Sequence, residues 1–372
     1  MTETTQLADD KSAPLAASKV PKARTFSRWQ TRFLKLFLVL LGVVFVLAAL
    51  EIGLRIAGWP TPGFYVNGAG PIELRAPGKN GGAFPPNVHG ELRHYDYTVP
   101  CNTNSFGFRD AEIRPKQPGE WRIGLLGDSF TAGVGVQQED RFADIFSAET
   151  RKSRPNVTVW NLAAPLCGTA CETEMLKSVS SNYQLDEIVL AFYGGNDLED
   201  NNWWYASDDP NRAAAPQPPL ASRFRDWVRD HSRLATFVWV QAIRGLATFK
   251  PPGIYHKADL DRFWPDTDRS LKALQTTAES RRLTIFYLPS PPEWSDKIWQ
   301  EMRTRYHLPE DGRFLVHDAV AKWAQEQGIE FIDATPWLHK CQADADFLLP
   351  VDPHWTAKGH RLVAQALLET WK

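Results

Sequence analysis

The hydrophobic and polar positions divide this chain into three stretches. Residues 1–32 are polar, with Lys19, Lys22, Arg24, Arg28 and Arg32 gathered toward their end, and they read as a disordered basic tail. FLKLFLVLLGVVFVLAALEIGLRIAG follows, uncharged from Leu36 to Leu50. Those fifteen residues are short for a hydrocarbon core of about 30 Å, but Phe33, Leu34 and Ile52–Ala57 extend the run to a spanning length. Lys35 can snorkel at one end, and Glu51 and Arg55 lie one helical turn apart at the other. We read residues 33–58 as one retained transmembrane helix. One rival is a cleaved signal peptide, for which a 32-residue leader is long and no clean small-x-small site precedes a polar mature start; the other is a soluble helix, which would rarely be apolar on all faces.

Residues 59–90 hold six prolines and seven glycines, which reads as a linker, so the folded domain is expected to begin near residue 91. Beyond it, five apolar runs alternate with helical patterns: WRIGLLG (121–127), VTVWNL (157–162), EIVLAFY (187–193), LTIFYL (283–288) and IEFID (329–333). Helices are expected near 140–151, 171–182, 267–281, 312–327 and 356–370. Strands apolar on both faces and spaced by helices predict a parallel sheet covered on both sides. The expectation is an α/β fold, a three-layer α/β/α sandwich of flavodoxin-like order 2-1-3-4-5, with ligands outside the carboxyl ends of the strands. About ninety residues separate strands three and four, and those near 200–262 read as an insertion: a substrate-binding lid, or a decorated crossover.

Composition adds little to this picture. The net charge of −2 gives no footprint for nucleic acid. It conceals an asymmetry, because residues 1–35 carry seven Lys/Arg and three Asp/Glu. With the basic flank on its amino side, the helix should keep the tail in the cytoplasm and export the rest. Fifteen tryptophans suit core packing first, and carbohydrate stacking or a membrane interface second. The four cysteines allow three pairings, of which Cys167 with Cys171 is the nearest in sequence; no Cys-x-x-Cys spacing suggests zinc.

The chemistry gathers at strand ends. Strand one stops at Gly127-Asp128-Ser129-Phe130, and the small residues Ala132, Gly133 and Gly135 behind it let a substrate approach the backbone. A serine needs a base, and VDPHW near the chain's end offers His354 with Asp352 beside it to fix its tautomer. Strand three runs into Gly194-Gly195-Asn196-Asp197, where Asn196 can donate to a developing oxyanion; the bland alternative is a turn. After strand two, backbone N–H groups around Leu166–Gly168 can complete the donor set. His360 is a competing base one turn into the last helix.

With these residues in place, the chain from about 104 to 372 resembles the SGNH (GDSL-type) hydrolases. Ser129 in GDSF matches the block I nucleophile, Asn196 in GGND the block III asparagine, and DPHWTAKGH resembles block V. NSFGFRD (104–110) is similar to a lead-in of membrane-anchored bacterial members. The resemblance implies serine esterase or acyl-transfer chemistry without metal or cofactor. It assigns Ser129, Asp352 and His354 as catalytic residues, with Ser129, Gly168 and Asn196 around the oxyanion. There are two departures. The block II glycine, five residues after Asn161, is Leu166 here, with Gly168 nearest. The usual Asp-x-x-His would place the carboxylate at Val351, and this chain has Asp352 instead.

The expected activity is hydrolysis of an acyl, for example acetyl, ester on a cell-envelope polysaccharide or lipid by an enzyme anchored in the bacterial inner membrane. The alternatives are an O-acyltransferase using the same serine and a non-catalytic polysaccharide-binding protein.

Overall fold

The computed structural model describes residues 27–59, 63–66, 71–72, 84–208, 220–246, 253–341 and 346–372. Most of the expected tail lies outside these residues. The chain divides into two units, Met1–Ala57 and Gly58–Lys372.

The first unit holds helix α1 (Arg28–Ile56). Ser27 caps it: its hydroxyl accepts from the Gln30 N–H, and the Gln30 side chain accepts from the Ser27 N–H. Its 29 residues reach about 43 Å and none is buried, so an apolar surface faces outward all round. Glu51 and Arg55 form the expected pair at 2.7 Å. This is one helix long and apolar enough to cross a bilayer.

In the second unit the strands form two sheets. The smaller has β1 (Gly63–Val66), β2 (Pro71–Ile72), β3 (His89–Arg93) and β4 (Thr98–Asn102) in antiparallel order β2-β1-β3-β4. The larger has β5 (Trp121–Gly127), β6 (Val157–Asn161), β7 (Glu187–Tyr193), β8 (Arg282–Leu288) and β9 (Glu330–Asp333), all parallel, in order β6-β5-β7-β8-β9. That is the expected 2-1-3-4-5. The helices that follow are α2 (Ser129–Ala132), α3 (Phe142–Ser153), α4 (Thr169–Tyr183), α5 (Asp197–Asp208), α6 (Leu220–His231) and α7 (Arg233–Leu246). After them come α8 (Lys257–Ala278), α9 (Pro291–Trp294), α10 (Asp296–Tyr306), α11 (Leu315–Gln327), α12 (Thr335–Lys340) and α13 (Ala357–Thr370).

Alternate side chains of the parallel strands enter two different cores. Ile123, Leu125, Val189, Ala191, Phe286 and Leu288 pack with Phe142 and Phe146 of α3 and Val363 and Leu367 of α13. Leu126, Ile188, Leu190, Phe192, Ile285 and Tyr287 face the other way, onto Leu176 and Val179 of α4, Leu271 and Leu274 of α8, and Val320 of α11. Burial on both faces is why these strands read as continuous apolar runs. The expected insertion is helical, as α5 to α7, with 209–219 and 247–252 outside the described residues. Helix α8 starts earlier than expected because it runs through Pro265.

The amino-terminal edge of the domain needs correction. The stretch 59–90 contributes β1 and β2, and Phe64 and Phe84 pack with Leu92, Val99 and Val134 in a small core of their own. Strands of four and two residues among prolines and glycines give too short an alternation to register as a pattern. The folded unit therefore starts at Gly58, not near 91.

The lead-in NSFGFRD welds the two sheets together. Asn104 donates to the Ala111 carbonyl and accepts from the N–H groups of Phe106 and Phe108, while Asp110 accepts from the Asn161 N–H at 2.6 Å. Arg109, 2 % exposed, donates to the carbonyls of Pro100 in β4 and of Gly133 and Val136 behind Ser129, at 2.7–2.8 Å. Burial and the nearby Arg141 pull its pKa down to about 10, still well above neutrality. Arg109→Met would strand three carbonyls away from water. It should cost about 3 kcal/mol or more, read as a lower urea midpoint of the full chain in detergent.

Candidate active site

Strand β5 ends in a forced turn. Asp128 caps α2, its carboxylate accepting from the Phe130 N–H at 2.8 Å, and Gly133 closes that single turn in the left-handed region at φ +70. A side chain at Gly127 would sit 2.2 Å from the Thr131 hydroxyl, so only glycine fits where the strand bends. Ser129, the first residue of the turn, is left half-buried at the carboxyl edge of the sheet.

His354 arrives from the far end of the chain. Its Nε2 lies 2.8 Å from the Ser129 hydroxyl oxygen, and its Nδ1 is hydrogen-bonded to Asp352. The two-residue spacing works because the loop is pinched: Leu348 bridges Trp355, and the Leu349 N–H donates to the His354 carbonyl at 2.9 Å. Helix α13 follows directly, capped by Thr356 as expected. Phe130 braces the imidazole with ring centroids 4.8 Å apart, and itself packs on Tyr193 and the fully buried Trp355.

The competing base is excluded by its surroundings. His360 is wholly buried against Phe142 and Trp355, and its Nδ1 accepts from the Phe142 N–H. Burial, with Arg141 and His354 nearby, pulls its pKa down to about 3, so it stays neutral. It fixes the start of α3 and takes no part at Ser129.

The β3–β4 turn supplies residues that the sequence did not reveal. The Tyr97 hydroxyl donates to Asp352 Oδ2 at 2.9 Å, and Asp96 accepts from the backbone N–H groups of Val351 and Asp352 at 2.7 and 2.9 Å. His94 stacks on Tyr97 and lies 4.0 Å from Asp352. Burial opposes the charge on Asp352, yet the bonds from His354 and Tyr97 hold its pKa below the ordinary carboxylate range. Nothing in RHYDYT announces this role, because the two partners are more than 250 residues apart.

On the other side of Ser129, β7 delivers Asn196 at the head of α5. Its Nδ2 donates one hydrogen to Asp200 at 2.7 Å, which leaves the second for a ligand oxygen. Gly168, the residue before α4, packs so close to α5 that an added Cβ would meet Asp200 at 2.9 Å. Cys167 and Cys171 are joined by a disulfide around it, the pairing expected from sequence. Leu166 adopts φ +63, a conformation that favours glycine, and sits where the resemblance expects one. The arrangement offers a serine, a base and the base's carboxylate in one hydrogen-bonded line, the core of what acyl transfer needs. Among the described residues no cluster suits a metal.

A sequence model of the GDSL-like lipase/acylhydrolase family matches residues 125–362, from the end of β5 into the first half of α13. The chain belongs to that family. This GDSL-like hydrolase is a serine-dependent ester hydrolase, with the α/β sandwich of its relatives. Solved structures similar to it include the esterase EstA from a Pseudoalteromonas species, at 11% identity, covering 67% of this chain and 95% of that one, TM-score 0.40. Two others are a lipolytic G-D-S-L protein from Veillonella parvula (14%, 68% and 98%, 0.38) and the acetylxylan esterase Axe2 from Geobacillus stearothermophilus (13%, 67% and 93%, 0.38). Comparison with curated proteins finds no match.

Four carboxyl groups of the GDSL-like hydrolase crowd the base of the site: Asp128, Glu172, Asp197 and Asp200. Burial raises all four, Asp128 to about 6, and repulsion from neighbouring carboxyl groups adds to it for the other three, taking Asp200 to about 7 and Glu172 and Asp197 well above the usual range. A carboxyl raised on folding contributes stability that is complete below its unfolded pKa near 4 and is lost as pH rises through the folded value. Asp200→Asn keeps the acceptor for Asn196 and removes that titration. Its urea midpoint, measured relative to the parent, should therefore rise between pH 5 and pH 8. A constant difference would mean that Asp200 does not titrate in this window.

Proposed function

We propose that the protein is a membrane-anchored esterase that removes an acyl group, acetyl being the simplest case, from a glycan or lipid of the bacterial cell envelope. The observation that carries the catalytic part is the continuous line Ser129 Oγ to His354 Nε2, at 2.8 Å, and His354 Nδ1 to Asp352. Ser129 Oγ attacks the ester carbonyl carbon and its proton passes to His354 Nε2. Asp352 holds the ring in the tautomer that accepts it and stabilises the imidazolium. The carbonyl oxygen, now negative, takes hydrogen bonds from the N–H of Ser129, the N–H of Gly168 and Nδ2 of Asn196. The intermediate collapses, the alcohol leaves with the proton from His354, and an acyl-serine remains. Water, deprotonated by His354, repeats the attack, releasing the acid and restoring Ser129.

Two features support an export-side location. Helix α1 is long and apolar with basic residues before it, which favours an anchor in the inner membrane with a cytoplasmic amino terminus. The Cys167–Cys171 disulfide suits an oxidising compartment. An exported, membrane-tethered esterase meets envelope esters, and the aromatic-rich insertion suits sugar rings or acyl chains.

The catalytic roles make quantitative demands. Ser129→Ala should abolish labelling of the full-length protein by a fluorophosphonate and hydrolysis of an aryl acetate. Asn196→Ala should still label but lose about 10²–10³ in kcat with little change in KM, as removal of one oxyanion donor does. Unchanged turnover in that variant would reduce Asn196 to a turn residue.

Orientation is tested separately. A phosphatase reporter fused after Lys372 should be active, and a cytoplasm-dependent fluorescent reporter at the same place dark. The reverse pattern would overturn the export of the catalytic unit.

A further inference from the structure

Helices α6 and α7 expose apolar surface that the core does not use. Leu220, Phe224 and Trp227 stand 80, 65 and 56 % exposed at positions i, i+4 and i+7, one face of α6. Phe224 and Trp227 stack on each other. Val238 and Trp239 of α7 are also exposed. Val240 of α7 is fully buried, so the pair has an inner side as well as an outer one.

The charge of this segment is opposite to that of its surroundings. From Leu220 to Leu246 the sequence has five arginines and two aspartates, net +3, although the chain beyond residue 35 is net −6. Exposed Trp, Phe and Leu on one face of a helix otherwise rich in arginine is the composition of a helix that lies in a membrane interface.

The chain itself fixes which membrane. Only three residues take the backbone from Ile56, the last of α1, to Trp59, a reach of at most about 11 Å. The Trp59 ring packs edge-on against Phe237 of α7 at 4.9 Å and stacks on Tyr95 at 6.3 Å. Trp59, three residues after the end of α1, is therefore the point at which the chain meets α7.

We propose that α6 and α7 dock on the surface of the bilayer that α1 spans, with Phe224 and Trp227 at the head-group boundary and the net charge of +3 of this segment matched to anionic lipid. This rests on the anchor reading above and narrows the substrate class to esters presented at the membrane surface. Helix α5 starts next to Asn196 and is 12 residues, about 18 Å, long. One helix therefore connects the oxyanion region to the segment before the docked face.

The test uses the full chain in vesicles of phosphatidylethanolamine and phosphatidylglycerol, with a photoreactive benzoyl-phenylalanine introduced at one site at a time. The sites are Phe37 in α1, Phe224, Trp227, and Trp121 at the amino end of β5. After irradiation, lipid adducts are read by mass on each peptide. Adducts should form at 37, 224 and 227 and not at 121. Omitting phosphatidylglycerol should lower those at 224 and 227 at least threefold and leave that at 37 unchanged. An adduct at 37 with none at 224 or 227 overturns the docking and leaves the anchor standing. No adduct at 37 overturns the anchor instead. A protein–protein adduct at 224 or 227 would show that a second copy covers this face, which also refutes the proposal.

Discussion

The ionised state of Asp352 is the constraint around which the catalytic unit is arranged. A carboxylate this far from water keeps its charge only if donors replace the solvent. His354 and Tyr97 provide them, and Asp96 anchors the backbone on either side of the Val351–Asp352 peptide. Two of these three come from the β3–β4 turn, so the small antiparallel sheet is part of the site and not a spacer before it. Arg109 closes the circuit, tying β4 to the loop behind Ser129. The nucleophile thus stands at the carboxyl edge of the large sheet and the base and carboxylate in the loop before α13, and the small sheet holds that loop through buried, charge-assisted hydrogen bonds.

This explains what the sequence disclosed and what it withheld. The parallel sheet was legible because burial on both faces writes itself as uninterrupted apolar runs, and order followed from helices between them. Ser129, Asn196 and His354 were legible because each stands at a strand end or beside a capped helix, with turn residues around it. Tyr97, Asp96 and His94 were not. Their importance depends on a contact across more than 250 residues, and their strands are too short to show a period. β1 and β2, inside the expected linker, were missed because strands of four and two residues are likewise too short to show a period.

The two histidines of the last segment show how environment separates residues that sequence leaves equal. Both lie beside Trp355, six positions apart. His354 has Asp352 on one nitrogen and Ser129 on the other, so either protonation state finds a partner. His360 has only a backbone N–H on Nδ1, with two arginines contributing unfavourable charge, so the neutral ring is the sole state its site accepts. A base must be able to hold a proton, and only one of them can.

Leu166 is one of the two places where this chain departs from the pattern it resembles, and the structure shows its backbone cost. An L-residue in the left-handed region costs roughly 1–2 kcal/mol relative to glycine. Burial does not offset that cost, because the side chain is 59 % exposed. The neighbouring backbone is held instead by Ala164, whose N–H bonds to Gly127, and by the disulfide that ties Cys167 to the first turn of α4. A loop fixed at both ends can impose the conformation, and the leucine is then free to present an apolar surface beside Gly168. The strain is thus carried at an outward-facing side chain two residues before Gly168, the oxyanion donor proposed above.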